Sequence, residues 1–440
     1  MFDKIFNWSK KTPATPTYPA INFGRYSDNN KSPEKTAKWS DADQLFKDKK
    51  YNEGLDAFFD YLRDDTADNV RTQRAGDDFS FEIYQGSKIV RGSANVDGIK
   101  AEVTLAKMPQ PSVPLMRRLL DQNFSLYYTR YALDGDRLCM RFESSIQTSN
   151  PNKLYYALKE LAIRADKQDD LLRQDFATLE PLDTDHVQPI GDVESEVKYK
   201  YFQKWIRETL EYIAALDAEK FNGAIAYLLL SLSFRIDYLI CAEGALLNEL
   251  ERIPSLYYAK DDKSITEKNA AMIEGFKKAQ LKTKEEFVKY LFKNKSTFSI
   301  VAPQPHKTTA DNIAAANNSM IWYRDNNYTA IAEKICEYGL LFSQYSYSEP
   351  KPLSELIQVF MQVNYPDYFI DLAFIDRLYD PASGKFSSDR IIEKINAIQN
   401  NWRRKYPGLE FKTVNLRFDS LINFNYSFTT EIENLNFDNK

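Results

Sequence analysis

Residues able to carry out acid–base or nucleophilic chemistry are scarce in this chain. Only two histidines occur among 440 residues, His186 in a stretch rich in proline and acidic residues and His306 in a proline-flanked loop. A Ser-His-Asp or Cys-His site would have to use one of them, and neither is on an element rigid enough to hold catalytic geometry. The 14 glycines include no phosphate-binding loop. We therefore predict no catalytic residues.

Metal and cofactor chemistry has equally little support from residue spacing. The three cysteines are far apart, in apolar surroundings, with no short pair suited to zinc and no even set for disulfides: Cys139, Cys241 and Cys336. Adjacent carboxylates such as Asp169-Asp170 and Asp261-Asp262 point apart on a helix, whereas acid–base catalysis needs convergent carboxyls. We predict a non-enzymatic protein with no metal and no cofactor, whose thiols are buried in a reducing compartment.

Composition indicates a globular protein and argues against nucleic-acid binding. Hydrophobic residues make up 43% of the chain, enough to form packed cores. The net charge of −5 lacks the basic excess that releases counterions from phosphate. Two basic clusters, Lys47–Lys50 and Arg403–Lys405, are interpreted as solvated helix ends.

No segment of the sequence has the pattern of a signal peptide or a membrane span. The first eight residues lack an uninterrupted apolar stretch and a small-residue cleavage site. The most apolar run, residues 224–241, contains Arg235 and Asp237, which would be costly in a bilayer, and it is shorter than the ~20 apolar residues needed. We interpret it as a helix buried in a bundle and predict a cytoplasmic protein that is not integral to a membrane.

Two alternating segments with Asp-Gly pairs predict β-hairpins. In the first, a two-residue Asp97-Gly98 turn would set Val96 opposite Ile99, Gly92 opposite Val103 and one face wholly apolar. In the second, an Asp134-Gly135 turn would set Tyr131 opposite Leu138, Thr129 opposite Met140 and Tyr127 opposite Phe142. Alternation at Phe79, Phe81 and Ile83 predicts a further strand.

Helices are predicted on both sides of these strands. Apolar stripes indicate a helical hairpin from Ser40 to Leu62, and a short helix carries Leu115, Met116, Leu119 and Leu120 on one side. Asn150-Pro151 is a strong helix start, with Asn as the cap. The predicted class is α+β: a two-layer antiparallel sheet with helices on one face, followed by a helical bundle and a C-terminal α+β unit.

The layout of residues 40–175 resembles the type III secretion chaperone fold and its YbjN-like relatives, and the preceding hairpin resembles one tetratricopeptide unit. The matching stretches are residues 114–123, 124–135, 138–142 and the closing helix 154–165. The resemblance rests on element order and hydrophobic spacing. It implies a non-enzymatic protein, binding of extended polypeptide, and a homodimer.

The best candidate contact surface is the second face of the second hairpin. Tyr128, Arg130 and Arg141 lie there, and an open sheet face with aromatic and guanidinium groups suits polypeptide capture. The alternative is that the bundle or a C-terminal helix covers this face.

The rest of the chain divides at proline-rich and polar stretches. The predicted parts are a flexible arm at 1–38, the chaperone-like domain at 39–176, a linker at 177–198, a bundle at 199–300 and a C-terminal α+β unit at 313–440. Expected strands at 340–347 and 368–374 make the last unit either a degenerate second chaperone-like copy or an unrelated unit.

Two functions follow from these patterns. The first is a chaperone-like adaptor that docks a polypeptide segment. The alternative is an enzyme of unknown class with a carboxylate and tyrosine site in a cleft between the bundle and the C-terminal unit, which would require a sheltered pocket with perturbed titration.

Overall fold

The computed structural model describes residues 19–29, 31–64 and 67–437. The structure combines many helices with a main antiparallel sheet, which confirms the α+β class. The first part, here called the sheet unit, contains α1 (Pro33–Lys47), α2 (Tyr51–Leu62), β1 (Val70–Ala75), β2 (Asp78–Gln85), β3 (Lys88–Ala94), β4 (Gly98–Lys107), α3 (Val113–Asn123), β5 (Arg130–Asp134), β6 (Arg137–Ser145), α4 (Pro151–Asp175) and β7 (Glu180–Pro181).

The sheet has one face buried under helices. Its strand order is β1-β2-β3-β4-β6-β5, with every neighbouring pair antiparallel and β7 paired to the end of β4. The long helix α4 begins where predicted, with the Asn150 side chain accepting a hydrogen bond from the Lys153 amide at 3.0 Å. It lies across β2, β3, β4 and β6. Val103 and Met140 are fully buried beneath the helices, as the alternation predicts.

The predicted register of the first hairpin is wrong by two residues. Ala94 faces Ile99, and Gly92 faces Ala101. The reason is the side chain of Asn95, whose Oδ1 accepts hydrogen bonds from the Asp97 amide at 3.0 Å and the Gly98 amide at 3.1 Å. This local turn places Val96 in solvent and takes it out of the ladder. A shift of two keeps each side chain on its predicted face.

The predicted register of the second hairpin is also wrong by two residues. Tyr131 faces Met140 and Asp134 faces Arg137, so the turn is Gly135-Asp136 and not Asp134-Gly135. Gly135 has φ of 62°, a conformation that glycine adopts without strain, and it takes the first turn position. Tyr127 therefore lies outside the ladder, and its predicted pairing with Phe142 does not exist.

One ion pair lies inside the sheet unit, between the sheet and α4. The Nζ of Lys88 is 2.7 Å from Oδ2 of Asp169 and donates to the Leu105 carbonyl at 3.2 Å. Both charged side chains are removed from solvent. Asp169, predicted as solvated, is therefore a buried structural carboxylate.

The second part of the chain, here called the bundle unit, is helical apart from one two-residue strand pair among its described residues. It contains α5 (Asp192–Ala214), α6 (Asn222–Ile240), α7 (Gly244–Tyr258), α8 (Ile265–Gln280), α9 (Lys284–Val288), α10 (His306–Asp325), α11 (Thr329–Ser346), α12 (Lys351–Asn364), α13 (Pro366–Asp371), β8 (Tyr379–Asp380), β9 (Lys385–Phe386), α14 (Ser388–Trp402) and α15 (Leu421–Glu433). One hydrophobic core runs through the unit from Val197 to Leu435.

The strands predicted at 340–347 and 368–374 are wrong. The first stretch lies in α11 to Ser346, and the second lies in α13 and the turn after it. Gly339 lies inside α11, where an added Cβ would come 2.8 Å from Ala316 Cβ. The glycine permits close packing of α10 and α11. The interpretation of residues 313–440 as a second chaperone-like copy depended on those strands.

Helix α6 is the single described helix long and apolar enough to cross a membrane, and 83% of its most apolar stretch is buried inside the protein. Each charge in its middle has a partner. Arg235 donates from Nε to Glu337 of α11 at 2.7 Å, and Asp237 accepts from Nη2 of Arg25 at 2.8 Å. These pairs support the interpretation of α6 as the central helix of a bundle.

The predicted flexible arm is wrong for its described part, and its first 18 residues lie outside the described residues. Residues 19–29 pack on the bundle unit, where Phe23 lies among aromatic rings of α6 and α13 and Gly24 N–H donates to the Tyr238 carbonyl at 2.8 Å. Helix α1 begins at Pro33, earlier than the predicted Ser40, because the Ser32 side chain caps it and proline suits the first turn.

The two units meet along an acidic edge of α4. Asp166 accepts hydrogen bonds from the Ser87 amide at 2.8 Å and the Ser87 hydroxyl at 3.1 Å, and burial raises its pKa to about 7. Burial also raises the pKa of Asp170 to about 6 and that of Glu243, which precedes α7, to about 8. Protonation of these carboxyls therefore favours the folded state.

We expect the Asp166→Asn variant to be more stable than the wild type in alkaline solution. The pKa of Asp166 in the folded state exceeds its ordinary value. Its contribution to the free energy of unfolding is therefore fully present below about pH 4 and is lost as the pH rises through about 7. Asparagine keeps the acceptor for Ser87 and removes the titration. Urea unfolding should show a gain of about 1 to 2 kcal/mol at about pH 8 and little change at about pH 4.

The control is Asp262→Asn, which removes an exposed carboxylate in the loop before α8. Its stability should follow the wild type at both pH values. An Asp166→Asn curve parallel to the wild type would show that Asp166 is already ionised in the folded protein.

Candidate functional site

The open face of the sheet carries a row of charged residues whose signs alternate from β1 to β6, and the row ends with two facing arginines. One residue from each strand stands directly opposite the next, in the order Arg71, Glu82, Arg91, Glu102, Arg141 and Arg130 from β1 to β5. Opposite charges on facing positions attract, so this row stabilises the register of the sheet. The row shows that the face turned away from α4 is in contact with water along most of its length.

The arginines of the predicted contact surface lie in this row and are already paired. Arg130 donates to Glu143 at 2.7 Å, and Arg141 forms ion pairs with Glu102 and Asp134. Arg130 is exposed and Arg141 half-buried. Tyr128 precedes β5 and is exposed. Arg130 and Arg141 therefore face each other on the open side of the sheet, where they act mainly as cross-strand partners, and Tyr128 is in the bend that precedes β5.

Several large apolar side chains are exposed where the chain passes from α3 into β5. Phe124 and Tyr127 are 93% and 90% exposed, and Leu120 is 60% exposed. Large apolar groups in water are unusual when they are contiguous and mark interaction surfaces. The corner patch is defined here as Leu120, Phe124, Tyr127, Tyr128 and Leu133.

The corner patch continues along one side of α3. Val113, Arg117, Leu120 and Phe124 are spaced four, three and four residues apart, which places them in one line on the helix. All four are exposed, whereas Leu115 and Leu119 are buried against the sheet. Helix α3 thus presents apolar residues on two sides, one toward the core and one toward solvent.

Sequence reasoning assigned Leu120 and Tyr127 to the core because they are apolar, and the structure places both in solvent. The available signal was the distribution of apolar residues around α3, which is too broad for one buried stripe.

The chain leading into β5 is held by one carboxylate. Glu160 of α4 accepts hydrogen bonds from the backbone amides of Tyr127, Tyr128 and Thr129 at 2.9, 2.9 and 3.0 Å. It also accepts one from the Thr129 hydroxyl at 3.0 Å. Charge-assisted bonds of this kind are stronger than neutral ones. Glu160 therefore fixes the backbone that presents the two tyrosines of the corner patch.

The two histidines have different surroundings. His186 packs against Tyr84, and His306 forms a 3.0 Å hydrogen bond between Nε2 and the Ile432 carbonyl. Burial lowers the pKa of both. Within the described ranges, no three His, Cys, Asp or Glu side chains are arranged to hold a metal ion.

A cleft of about 280 Å³ opens in the bundle unit between α5, α6, the start of α11 and α13. Its inner wall contains Arg235, Lys334 and Tyr365, all in contact with the fully buried Glu337. Burial alone would raise the pKa of Glu337, but the charges of Arg235 and Lys334 outweigh it and hold that pKa at about 2. Burial raises the pKa of Tyr365 well above its ordinary value.

The cleft contains a carboxylate and a tyrosine, as the enzyme alternative requires. General acid–base catalysis works best with a pKa near the operating pH. Near neutral pH, Glu337 stays ionised and Tyr365 stays protonated. Both groups are therefore suited to holding the neighbouring cations in position.

No protein-family model matches the chain, and no curated protein matches its sequence.

We expect Glu160→Ala to loosen the start of β5 while leaving the sheet intact. The three amides lose their acceptor and become free to exchange, because nothing else among the described residues accepts from them. Amide hydrogen exchange at residues 127–129 should become about tenfold faster, with unchanged protection in β4.

Glu160→Gln keeps an acceptor oxygen and should give an intermediate rate. Equal exchange in the wild type and the alanine variant would contradict the assignment of Glu160 as the clamp of this segment.

Proposed function

We propose that this protein is a non-catalytic, chaperone-like adaptor that docks a segment of another polypeptide at the corner patch. The observation that carries the proposal is the set of exposed apolar side chains between Leu120 and Leu133, where the chain leads from α3 into the edge strand β5. Phe124 and Tyr127, each at least 90% exposed, give up the most unfavourable hydration when a partner covers them.

An extended segment suits this surface better than a globular partner. Strand β5 is the last strand of the sheet, so its outer edge is unpaired with any described strand. Part of that edge is occupied, because the Tyr131 amide donates to Asn123 Oδ1 at 2.9 Å. A docked chain would therefore use side-chain contacts with the corner patch as well as the strand edge.

Charge favours a segment with acidic residues beside its apolar ones. The guanidinium group of Arg117, on the exposed side of α3, forms no hydrogen bond or ion pair with any described residue, and the same holds for the guanidinium group of Arg164 in α4. Arg164 lies near the phenol of Tyr131 on β5. Exposed, unpaired guanidinium groups on the helices α3 and α4 attract carboxylates and steer their approach.

The resemblance to type III secretion chaperones and YbjN-like proteins agrees with this proposal, since those chaperones bind extended polypeptide without catalysis. The proposal includes a cytoplasmic location and a partner that is neither nucleic acid nor a membrane. A homodimer, which the resemblance also implies, would use the same apolar surface and is an outcome of the experiment below.

We expect the double variant Leu120→Glu/Phe124→Glu to lose peptide binding. The probe is a phage-displayed library of random peptides of about 12 residues, from which bound sequences are resynthesised and titrated by fluorescence anisotropy. The wild type should select peptides with apolar and acidic residues, and the double variant should bind them about tenfold more weakly or worse.

Leu281→Glu is the matched control, because Leu281 is also highly exposed but lies in the bundle unit. Tyr128→Ala/Arg141→Glu tests whether the open face contributes. Failure of the wild type to select peptides, or equal binding by the Leu120→Glu/Phe124→Glu variant, would overturn the proposal. Light scattering that shows a wild-type dimer and a monomeric variant would assign the patch to self-association instead.

A further inference from the structure

The cleft in the bundle unit holds a buried arginine with unused donors. Arg235 is 4% exposed, and among the described residues only its Nε donates a hydrogen bond, to Glu337. Its two terminal nitrogens have no partner there, although the residue lines the cleft. A buried guanidinium that leaves donors unpaired gives up free energy unless a ligand or water satisfies them.

Aromatic rings fix the orientation of this guanidinium. Its central carbon lies 4.8 Å from the centre of the Tyr365 ring and 5.7 Å from that of Trp205. Such contacts stabilise the cation and restrict its plane. The Nε bond to Glu337 then sets the direction of the terminal nitrogens. Arg235 is therefore pre-organised before any ligand arrives.

Charged side chains surround the guanidinium group at the inner end of the cleft. Lys334 donates to Glu337 at 3.0 Å and to the Tyr365 hydroxyl at 2.7 Å, so two cations share one carboxylate. Glu333 lies beside Lys334 but does not line the cleft, and burial raises its pKa. Glu208 also lines the cleft and interacts electrostatically with Arg235, so the attraction for an anion comes from the open guanidinium donors of Arg235.

The remaining walls are mostly apolar or already paired. Leu228, Trp205, Tyr368, Pro366 and Pro381 line the cleft. Asp367 at the rim pairs with Arg377 at 2.7 Å, and Lys204 lies 3.8 Å from Glu208. The volume of about 280 Å³ is at the lower end for small-molecule pockets. The walls thus suit a small apolar body and the inner end suits a single negative charge.

We propose that this cleft binds a small monocarboxylate with an apolar or aromatic body, its carboxylate chelated by the terminal nitrogens of Arg235. Arginine binds a carboxylate through two parallel hydrogen bonds, a geometry that lysine cannot reproduce. The aromatic walls enclose the body of the ligand. This site is in the bundle unit and is independent of the corner patch.

The test uses 3-phenylpropionate as the probe and its uncharged amide as the matched ligand. Isothermal titration of the full chain should show binding of the acid with a Kd of about 1 mM or lower and binding of the amide at least about tenfold weaker. Arg235→Lys keeps the charge and should weaken binding of the acid by about tenfold or more.

Ala330→Trp provides a second variant that leaves the buried ion pairs untouched. Ala330 lies at the exposed edge of the cleft, so the larger side chain should block entry and abolish binding in a protein with a wild-type circular dichroism spectrum. Leu281→Trp is the matched control, at an exposed position outside the cleft, and should bind normally. Absence of acid binding, equal binding of acid and amide, or full binding by Ala330→Trp would each overturn the proposal.

Discussion

The architecture of the sheet unit depends on the ion pair between Lys88 and Asp169, which lies entirely out of solvent. Burying either charge alone is strongly unfavourable, so Lys88 at the start of β3 and Asp169 of α4 must meet whenever the unit folds. Lys88 also donates a hydrogen bond to the Leu105 carbonyl, which connects β4 to the same ion pair. Helix α4 is thereby confined to one face, and the opposite face has to be compatible with water.

The charged row follows from that constraint. A face without a helical cover is open to water, and the charges along it alternate from Arg71 to Arg141, with ion pairs between Arg91 and Glu82 and between Arg141 and Glu102. The exception is the junction of α3 and β5, where Phe124 and Tyr127 stay in water. Since Glu160 of the same helix α4 fixes the adjoining backbone, the exposed tyrosines belong to an ordered part of the structure.

The sequence predicted the faces of the sheet better than its register. Side chains alternate with a period of two, so an error of two residues at each hairpin left Val103 and Met140 on the buried side. The bonds from Asn95 to its own turn depend on side-chain geometry that hydrophobic alternation does not encode. Strand β1 was missed because it is polar apart from its first and last residues. The apolar stretch 340–347 was assigned to a strand because short buried helical and strand segments look alike in sequence.

The candidate sites were predictable to different degrees. Side chains alternate between the two faces of a strand. The positions of Arg130 in β5 and Arg141 in β6 were therefore enough to place both on the open face. Exposure of Leu120 and Phe124 depends on the absence of a neighbouring element among the described residues, which composition does not reveal. The cleft joins Arg235 to Glu337 and Tyr365 across a sequence separation of about 130 residues, so no local spacing signals it. The sign of the cleft in the sequence was Arg235, a charged residue inside the most apolar helix.

The docking of residues 19–29 on α6 and α13 makes the sheet unit an insertion within the bundle unit. Phe23 and Arg25 precede the sheet in the chain, yet Phe23 packs against Tyr238 and Phe369, and Arg25 binds Asp237 and Glu251. During synthesis on the ribosome, this leading segment must wait until at least residue 251 has emerged before its salt bridges can form. The sheet unit therefore has time to fold first. The bundle unit then packs against residues 19–29 at a later stage, and this packing joins the two units.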